Sequence, residues 1–339
     1  MIADGNPIRP TVDLDAPGVR HGHLRLPWSR NESAWGNLMI PFCVAVGEKP
    51  GPTVLVTGGN HGDEYEGPLA ALALARELHA DAMAGRVIIL PFLNFAAVKA
   101  GTRVSPVDGV NMNRCFPGAR NGSQTEKVAD YVMRALSPLA DLALDFHSGG
   151  RTLDFLPFAA SHVLEDKALE ARCAAAAAAF NAPYTMKMLE LDPAGLLDTA
   201  LEEAGVALVT TELRGGGTAT AESVAIARRG LRNVLVHAGV LDGEPERAPS
   251  RLLSMPSLDC YSFAGEAGML EPCVDLGATV RAGDALALIW RLDRTGVAPE
   301  TVTAKMDGVL AARHFPGLVQ PGDTVGVVAT SDRAPRDRP

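Results

Sequence analysis

Short apolar runs alternate with longer segments of helical periodicity between residues 52 and 239 of the chain. Runs rich in β-branched and aliphatic residues predict buried strands at residues 52–58, 86–94, 142–148 and 206–213. Helical patterns occur at residues 68–80, 123–135, 165–180, 196–204 and 221–238. This alternation predicts an α/β fold with a largely parallel sheet that is covered by helices on both faces. Ligands of such folds collect beyond the carboxyl ends of the strands.

The pattern changes after residues 242–256, a segment rich in Pro, Glu, Arg and Ser that predicts a linker. Beyond it, short apolar runs and glycine turns predict a small all-β barrel-sandwich domain of the lipoyl type. Two similar segments, at residues 276–289 and 316–328, predict one hairpin-like unit that is used twice there. We therefore expect a catalytic domain over residues 1–247 with an N-terminal β extension over 1–50, a β domain over 248–330 and a disordered tail over 331–339.

Composition and charge narrow the class of protein. The chain has 339 residues, of which 47% are hydrophobic and 21% charged, as in ordinary globular proteins. Its net charge of −9 argues against a nucleic-acid partner. It has neither a secretory signal pattern nor an apolar run of membrane-spanning length, and its five cysteines are scattered. We expect a soluble cytoplasmic protein with no membrane partner, which forms a homo-oligomer such as a dimer.

Three residues at predicted strand ends suggest a metal site. Glu64 comes three residues after His61, just beyond the first strand, so that an imidazole and a carboxylate share one short turn. His147 lies at the end of the third strand, and Asp145 could orient its ring. Catalytic zinc sites commonly use three such ligands and keep a fourth position open. A lone His-x-x-Glu spacing more often belongs to an ordinary surface turn, but the strand ends and glycine-rich turns around it favour metal binding, and we expect one Zn²⁺ per subunit.

Four other residues suit hydrolytic chemistry. Glu212, at the end of the fourth strand, could accept a proton from water and pass it to a leaving amine, or it could form a salt bridge to Arg214. Asn113 and Arg114 suit a substrate carboxylate, because arginine binds carboxylates in a bidentate manner. Arg103 suits the oxyanion that forms during attack on a carbonyl. The alternative is that these loop residues cap nearby helix ends.

Four sequence motifs resemble those of the succinylglutamate desuccinylase/aspartoacylase family in order and spacing. They are GGNHGDEYEG, NMNRCFPG, DFHSGG and TELRGGG. The resemblance covers residues 54–239 and extends to the C-terminal β domain. It implies a zinc-carboxypeptidase-like fold, with a mostly parallel mixed sheet flanked by helices. It also implies that the zinc ligands are His61, Glu64 and His147. The other implied roles are general base and acid for Glu212, carbonyl polarisation for Arg103, and binding of the substrate carboxylate for Asn113 and Arg114.

The substrate is less well defined by these motifs. Asn111 departs from the family pattern, in which several members have Asp. Residues 107–118 and 209–217 resemble the branch that deacetylates N-α-acetyl-L-2,4-diaminobutyrate in ectoine breakdown. We therefore expect hydrolysis of the amide bond of a small N-acyl amino acid, with this compound as the first expectation. The alternatives are a carboxypeptidase acting on short peptides, a deacylase of N-acetylaspartate or N-succinylglutamate, and a non-catalytic metal-binding protein.

Overall fold

A long mixed β-sheet runs through the molecule, in a computed structural model that describes residues 5–190 and 192–331. Its strands and those of a second sheet are β1 Arg9–Pro10, β2 Gly18–Pro27, β3 Asn37–Val46, β4 Lys49–Thr57, β5 Ala84–Leu90, β6 Leu142–Asp145, β7 Leu153–Phe155, β8 Phe158–His162, β9 Tyr184–Met188, β10 Ala207–Glu212, β11 Arg251–Met255, β12 Tyr261–Phe263, β13 Gly268–Pro272, β14 Thr279–Val280, β15 Ala285–Trp290, β16 Glu300–Thr303, β17 Gly308–His314, β18 Leu318–Val319 and β19 Thr324–Ser331. The helices are α1 Glu66–Glu77, α2 Phe95–Ala100, α3 Gln124–Tyr131, α4 Lys167–Phe180, α5 Leu197–Glu203 and α6 Ala221–His237.

The centre of the long sheet is parallel. Its strand order is β1-β2-β3-β5-β4-β6-β10-β8-β9-β11-β19-β17-β14. Within this order β5, β4, β6 and β10 are parallel neighbours, as the alternation of strands and helices predicted. Antiparallel pairs join β3 to β5 on one side and β8 to β10 on the other. The sheet is therefore mixed, and the strand ends that carry the expected site belong to its parallel part.

Helices cover both faces of this sheet because alternate residues of its strands point in opposite directions. In β4, Val54 and Val56 join the core beneath α1, α4 and α6. Leu55 lies between them in sequence and joins the opposite core, beneath α3 and α5. Two helices begin with reciprocal caps: the Ser123 hydroxyl accepts from the backbone of α3, and the Thr220 hydroxyl does the same at α6. Each of these two helices thus begins directly after a polar capping residue, and its apolar periodicity follows.

The structure differs from the sequence-based expectation in three regions, the first being the short helix α2, which was not predicted. Strands β7, β8 and β9 lie between residues 153 and 188, where only the helix over 165–180 was predicted. The expected linker over residues 242–256 contains β11, which pairs with β9 and β19. These strands are short and their partners lie far away in sequence, so that local periodicity gives little sign of them. The expected tail lies outside the described residues, apart from Ser331 at the end of β19.

The C-terminal strands form a β region that is continuous with the long sheet. Four strands make a separate antiparallel sheet in the order β16-β15-β13-β18, while β11, β12, β14, β17 and β19 belong to the long one. The two similar sequence units each contain a two-residue strand, a turn with a glycine at positive φ (Gly283 and Gly322, both +91°) and a longer strand.

Among the described residues, no helix has both the length and the apolar character needed to cross a membrane.

Candidate metal centre and active site

Three parallel strands, β4, β6 and β10, end side by side at one edge of the sheet. Their register places Thr57, the last residue of β4, opposite Asp145, the last residue of β6. His61 and His147 follow these two ends within a few residues, and Glu212 is the last residue of β10. The expected site residues at strand ends therefore gather at a single edge, as the fold class predicted.

The turn that carries His61 and Glu64 depends on close backbone contact. The backbone N–H of Gly62 donates to the carbonyl oxygen of Thr102 at 2.9 Å. A Cβ atom at position 62 would lie only 2.0 Å from the carbonyl carbon of Ala97, so the position requires glycine. This contact holds the His61–Glu64 turn against the segment that follows α2.

The side chains of His61, Glu64 and His147 converge on one point. One Glu64 oxygen lies 2.7 Å from Nδ1 of His61, and the other lies 3.0 Å from Nδ1 of His147. The backbone N–H of Ser148 donates to the second oxygen at 3.2 Å. The ligand atoms of the three residues lie within 4.8 Å of one another, and all three side chains are buried. Two imidazoles and a carboxylate are a donor set that suits a catalytic zinc ion.

The outer partners of the two imidazoles favour the tautomer that a metal needs. Nε2 of His147 lies 2.9 Å from a carboxylate oxygen of Asp145, the partner expected from the sequence. Nε2 of His61 lies 3.2 Å from the side-chain oxygen of Asn111. That oxygen also accepts the backbone N–H of Asn113, which fixes the orientation of the amide. Because both oxygens only accept, each Nε2 carries a hydrogen, and with a cation bound between the rings and Glu64 each Nδ1 would offer its lone pair to that cation.

The charges of the cluster attract a cation. Burial alone would raise the pKa of the Glu64 carboxyl, but the neighbouring imidazoles of His61 and His147 outweigh it and hold that pKa below its ordinary value. Burial lowers the pKa of His61. For His147 the effect of burial is overcome by Asp145 and Glu64, which raise its pKa well above the usual range. Positive charge at the point where these groups meet is therefore favoured, and a divalent cation would supply it.

Glu212 lies beside this cluster with an unused oxygen. Its Oε2 is buried and has no hydrogen-bond partner among the described residues. Burial and then the charge of Glu64 raise the pKa of Glu212 to about 8. Arg103 is half exposed and its guanidinium lies 3.8 Å from a Glu64 oxygen, so it also faces the cluster. The alternative salt bridge from Glu212 to Arg214 is not formed, since Arg214 pairs with Asp154 at 3.4 Å.

Asn113 and Arg114 lie against a loop that leads into α5. The side-chain oxygen of Asn113 accepts the backbone N–H of Leu197, the first residue of α5, at 2.9 Å. Part of the helix-capping alternative therefore holds for Asn113, while its amide nitrogen remains available as a donor. Arg114 is half exposed and lies 3.9 Å from the carboxylate of Asp192. A Cβ at Gly195 would lie 2.5 Å from the Arg114 backbone, so the loop before α5 packs closely against the backbone of Arg114.

Sequence reasoning missed two residues of this region. Asn111 was noted only as a departure from a family pattern, and its contact with His61 gives it a place beside the metal cluster. Asp198, in α5, has an oxygen within 4.8 Å of His147 and Asp145. Burial and then the charge of Asp145 raise the pKa of Asp198 to about 6. The spacing of Asn111 from Asn113 could have suggested the first, but nothing local distinguishes Asp198 from any other helical acid.

Comparison with known proteins gives full-length matches. A family model described as the succinylglutamate desuccinylase/aspartoacylase catalytic domain matches residues 50–238. A Halomonas elongata protein named N-alpha-acetyl-L-2,4-diaminobutyric acid deacetylase is 52% identical over 327 residues, covering 96% of this chain and 95% of that protein. The product-bound structure of the ectoine utilization protein EutE (DoeB) from Ruegeria pomeroyi has a TM-score of 0.94 and 55% identity, covering 96% of this chain and 99% of that one. A structure of a succinylglutamate desuccinylase from a Silicibacter species has a TM-score of 0.93 and 53% identity. The match covers 96% of this chain and 99% of that one.

Proposed function

Because this chain belongs to the succinylglutamate desuccinylase/aspartoacylase family, we propose that it hydrolyses N-α-acetyl-L-2,4-diaminobutyrate to acetate and L-2,4-diaminobutyrate. The observation that carries the chemistry is the convergence of two imidazoles and a carboxylate beside the unpaired oxygen of Glu212. The 52% identity to the Halomonas elongata deacetylase supports the choice of substrate. Amide hydrolysis needs a site that polarises a carbonyl and moves a proton, and this arrangement meets both needs.

The metal of this proposal is Zn²⁺, held by Nδ1 of His61, the Glu64 carboxylate and Nδ1 of His147. When bound there, it would supply Lewis acidity to the amide carbonyl and to the attacking water. Asp145 and Asn111 keep the two imidazoles in the ligating tautomer and orientation. All of these groups belong to this chain, so one subunit holds a complete ligand set.

Glu212 carries the proton in the proposed reaction. Its free carboxylate oxygen accepts a proton from water as the new carbon–oxygen bond forms. The same group then gives that proton to the amide nitrogen as the carbon–nitrogen bond breaks, which releases acetate and the free amine. Burial raises the pKa of Glu212, which strengthens its carboxylate as the base for the first step, and a bound cation would oppose the part of the shift that comes from Glu64. Arg103 brings positive charge to the same side of the cluster and would stabilise the oxyanion.

Asn113 and Arg114 anchor the substrate carboxylate in this scheme. Arg114 exposes about half of its side chain and can turn from Asp192, which lies at a distance of 3.9 Å and is itself exposed. A weak surface ion pair of this kind costs little to exchange for a substrate carboxylate. Asn113 is held by its contact with Leu197 and presents its amide nitrogen as a fixed donor. The two donors together would orient the substrate so that its acyl group faces Glu212.

A panel of substrates tests the proposal. The zinc-loaded enzyme should hydrolyse N-α-acetyl-L-2,4-diaminobutyrate with release of acetate. Its kcat/KM for this compound should exceed its kcat/KM for N-acetyl-L-aspartate, N-succinyl-L-glutamate and a dipeptide. Treatment with a chelator should abolish this activity and added Zn²⁺ should restore it. Preferential cleavage of the dipeptide would support the carboxypeptidase alternative, and zinc binding without turnover of any substrate would support the non-catalytic one. Either result would overturn the proposed function.

A further inference from the structure

Asp198 is a buried acid near the imidazoles of His162 and His147, neither of which donates a hydrogen bond to its Oδ1. It is the second residue of α5 and only 7% exposed. Its Oδ1 has no hydrogen-bond partner among the described residues. An unpaired buried carboxylate is costly to keep, so its position calls for a partner that is not part of the chain.

The neighbouring buried acids are already paired. Nε2 of His147 donates to Asp145 at 2.9 Å, and Thr57 donates to the same carboxylate at 2.6 Å. Within α5, both oxygens of Glu202 lie 3.0 Å from Nδ1 of His162. Each of these carboxylates therefore has an imidazole in direct contact. Oδ1 of Asp198 has no such contact among the described residues, and His162 and His147 act on this acid only through their charge.

Asp198 also lies near two of the expected site residues. One of its oxygens is within 4.8 Å of the ring of the metal-ligand candidate His147. It follows directly after Leu197, whose backbone N–H is held by the substrate-binding candidate Asn113. The acid is therefore close to the residues expected at both ends of the substrate, His147 for the acyl group and Asn113 for the carboxylate.

We propose that Asp198 accepts the side-chain ammonium of the substrate and gives the enzyme its preference for a cationic amino acid. The inference rests on the proposed function, since it assigns a residue to the ammonium of N-α-acetyl-L-2,4-diaminobutyrate. The side-chain nitrogen of this compound lies four bonds from its amide nitrogen, about 5 Å when extended. That reach is comparable to the separation of at most 4.8 Å between an Asp198 oxygen and a ring nitrogen of His147, so an amide at the metal cluster would leave the ammonium within range of Asp198. A primary ammonium supplies the donors that the acid lacks.

Asp192 is the rival acceptor, and its surroundings suit it less. Its side chain is 74% exposed and already faces Arg114 at 3.9 Å. An exposed acid discriminates weakly between cationic and neutral groups because water competes for both partners. Asp198 is buried, where the charge of a bound ammonium would be screened little. The burial of Asp198 thus favours it as the source of selectivity.

The experiment compares a cationic substrate with a neutral one of the same shape. N-α-acetyl-L-2,4-diaminobutyrate and N-acetyl-L-norvaline differ mainly in an ammonium that replaces a methyl group. For Asp198→Asn, kcat/KM for the cationic substrate should fall by about 100-fold, because removing one partner of a buried charge pair is expensive. The value for N-acetyl-L-norvaline should change by less than about threefold. Glu203→Gln, which removes an exposed charge from the same helix, is the matched control, and zinc content and melting temperature are measured for each variant.

Several outcomes would overturn the role of Asp198. Equal losses on both substrates, or loss of zinc from Asp198→Asn, would show that the residue supports the metal cluster and not selectivity. A change of preference in Asp192→Asn alone would move the role to the rival. If Asp198→Asn does not fold, the wild-type enzyme still decides, since equal kcat/KM values for the two substrates exclude a charge-selective pocket. Wild-type inactivity on the cationic substrate would contradict the proposed function itself, whereas the preceding results would leave that function intact.

Discussion

At the scale of single residues, the two candidate metal imidazoles have unequal outer partners. His147 donates to the charged carboxylate of Asp145, and His61 donates to the neutral amide of Asn111. Replacing Asn111 with Leu removes the acceptor, so the His61 ring loses its fixed tautomer and zinc affinity should fall by about 10- to 100-fold. Competition with a chromophoric chelator measures this affinity. Asn111→Asp is the control and should retain affinity, because it keeps an acceptor at the same place; equal affinities for the Leu variant and the wild type would exclude this role.

Glu212 provides a second test at this scale. Glu212→Gln keeps the size of the side chain and removes its ability to carry a proton, so kcat should fall by about 100- to 10,000-fold. Zinc content should stay unchanged, because the three metal-ligand candidates are untouched. Steady-state kinetics and metal analysis of the same sample separate the two effects. A variant that retains nearly full activity would remove Glu212 from the mechanism.

The sequence was sufficient to predict that His61, Glu64 and His147 come together with Asp145 beside them, but not the approach of Asp198. His61, Glu64 and His147 could be predicted because each follows a strongly apolar run whose end marks one edge of the sheet. Their catalytic roles stay predictions until a metal and a reaction are measured. Asp198 could not be predicted, because it approaches His147 only after α5 packs against the sheet, and its helix has an ordinary amphipathic sequence.

At the scale of elements, α5 is held at its first residue by a side chain from a distant loop. Asn113 accepts the buried N–H of Leu197, so Asn113→Ala should lower the free energy of unfolding by about 1–3 kcal/mol. KM should rise as well, because the segment that carries Arg114 is no longer fixed against α5 by the contact between Asn113 and Leu197. Urea denaturation and steady-state kinetics of this variant check both effects. Arg114→Ala is the comparison: it should raise KM with little change in stability, and a stable Asn113→Ala would show that the contact contributes little.

A buried ion pair joins β8 to α5 and makes stability depend on pH. Burial alone would lower the pKa of His162, but its hydrogen bond and charge interaction with Glu202 raise it from 6.5 to about 9. Since the folded pKa exceeds the unfolded one, this pair stabilises the fold fully below pH about 6.5 and progressively less as pH rises to about 9. The free energy of unfolding of the wild type relative to His162→Gln should therefore fall by about 2 kcal/mol over that range. Chemical denaturation at several pH values tests this; a difference independent of pH would mean that His162 is neutral in the folded state.

The elements themselves show which parts of a fold a single sequence can indicate. The strands β4, β6 and β10 end in apolar runs that are followed by polar turns, and all three were predicted. β8 and β9 are short and contain polar residues, and β9 is completed by β11 from beyond residue 250. Their strand character depends on these remote partners more than on local pattern.

At the scale of the whole molecule, the boundary predicted between residues 247 and 248 separates two parts that share one sheet. β11 links β9 to β19, and β7 pairs with β17 from the C-terminal region. Phe158 and Met186, from the proposed catalytic part, belong to a core cluster completed by residues of β11, β17 and β19. The expected cytoplasmic location and homo-oligomeric state stay predictions, because they concern surroundings and partners outside a single chain.

This shared sheet predicts that the catalytic part does not fold alone. A fragment ending at residue 247 loses β11, one of the two partners of β9, and exposes Phe158 and Met186, each of which contributes about 1.5–3 kcal/mol when buried. The sum is a large part of the net stability of an ordinary domain. We therefore expect the full chain to unfold in one cooperative thermal transition and the fragment to show none, with increased binding of a hydrophobic dye. A fragment that melts cooperatively and retains zinc would instead support an independent catalytic domain. The β region would then not be required for the catalytic part to fold.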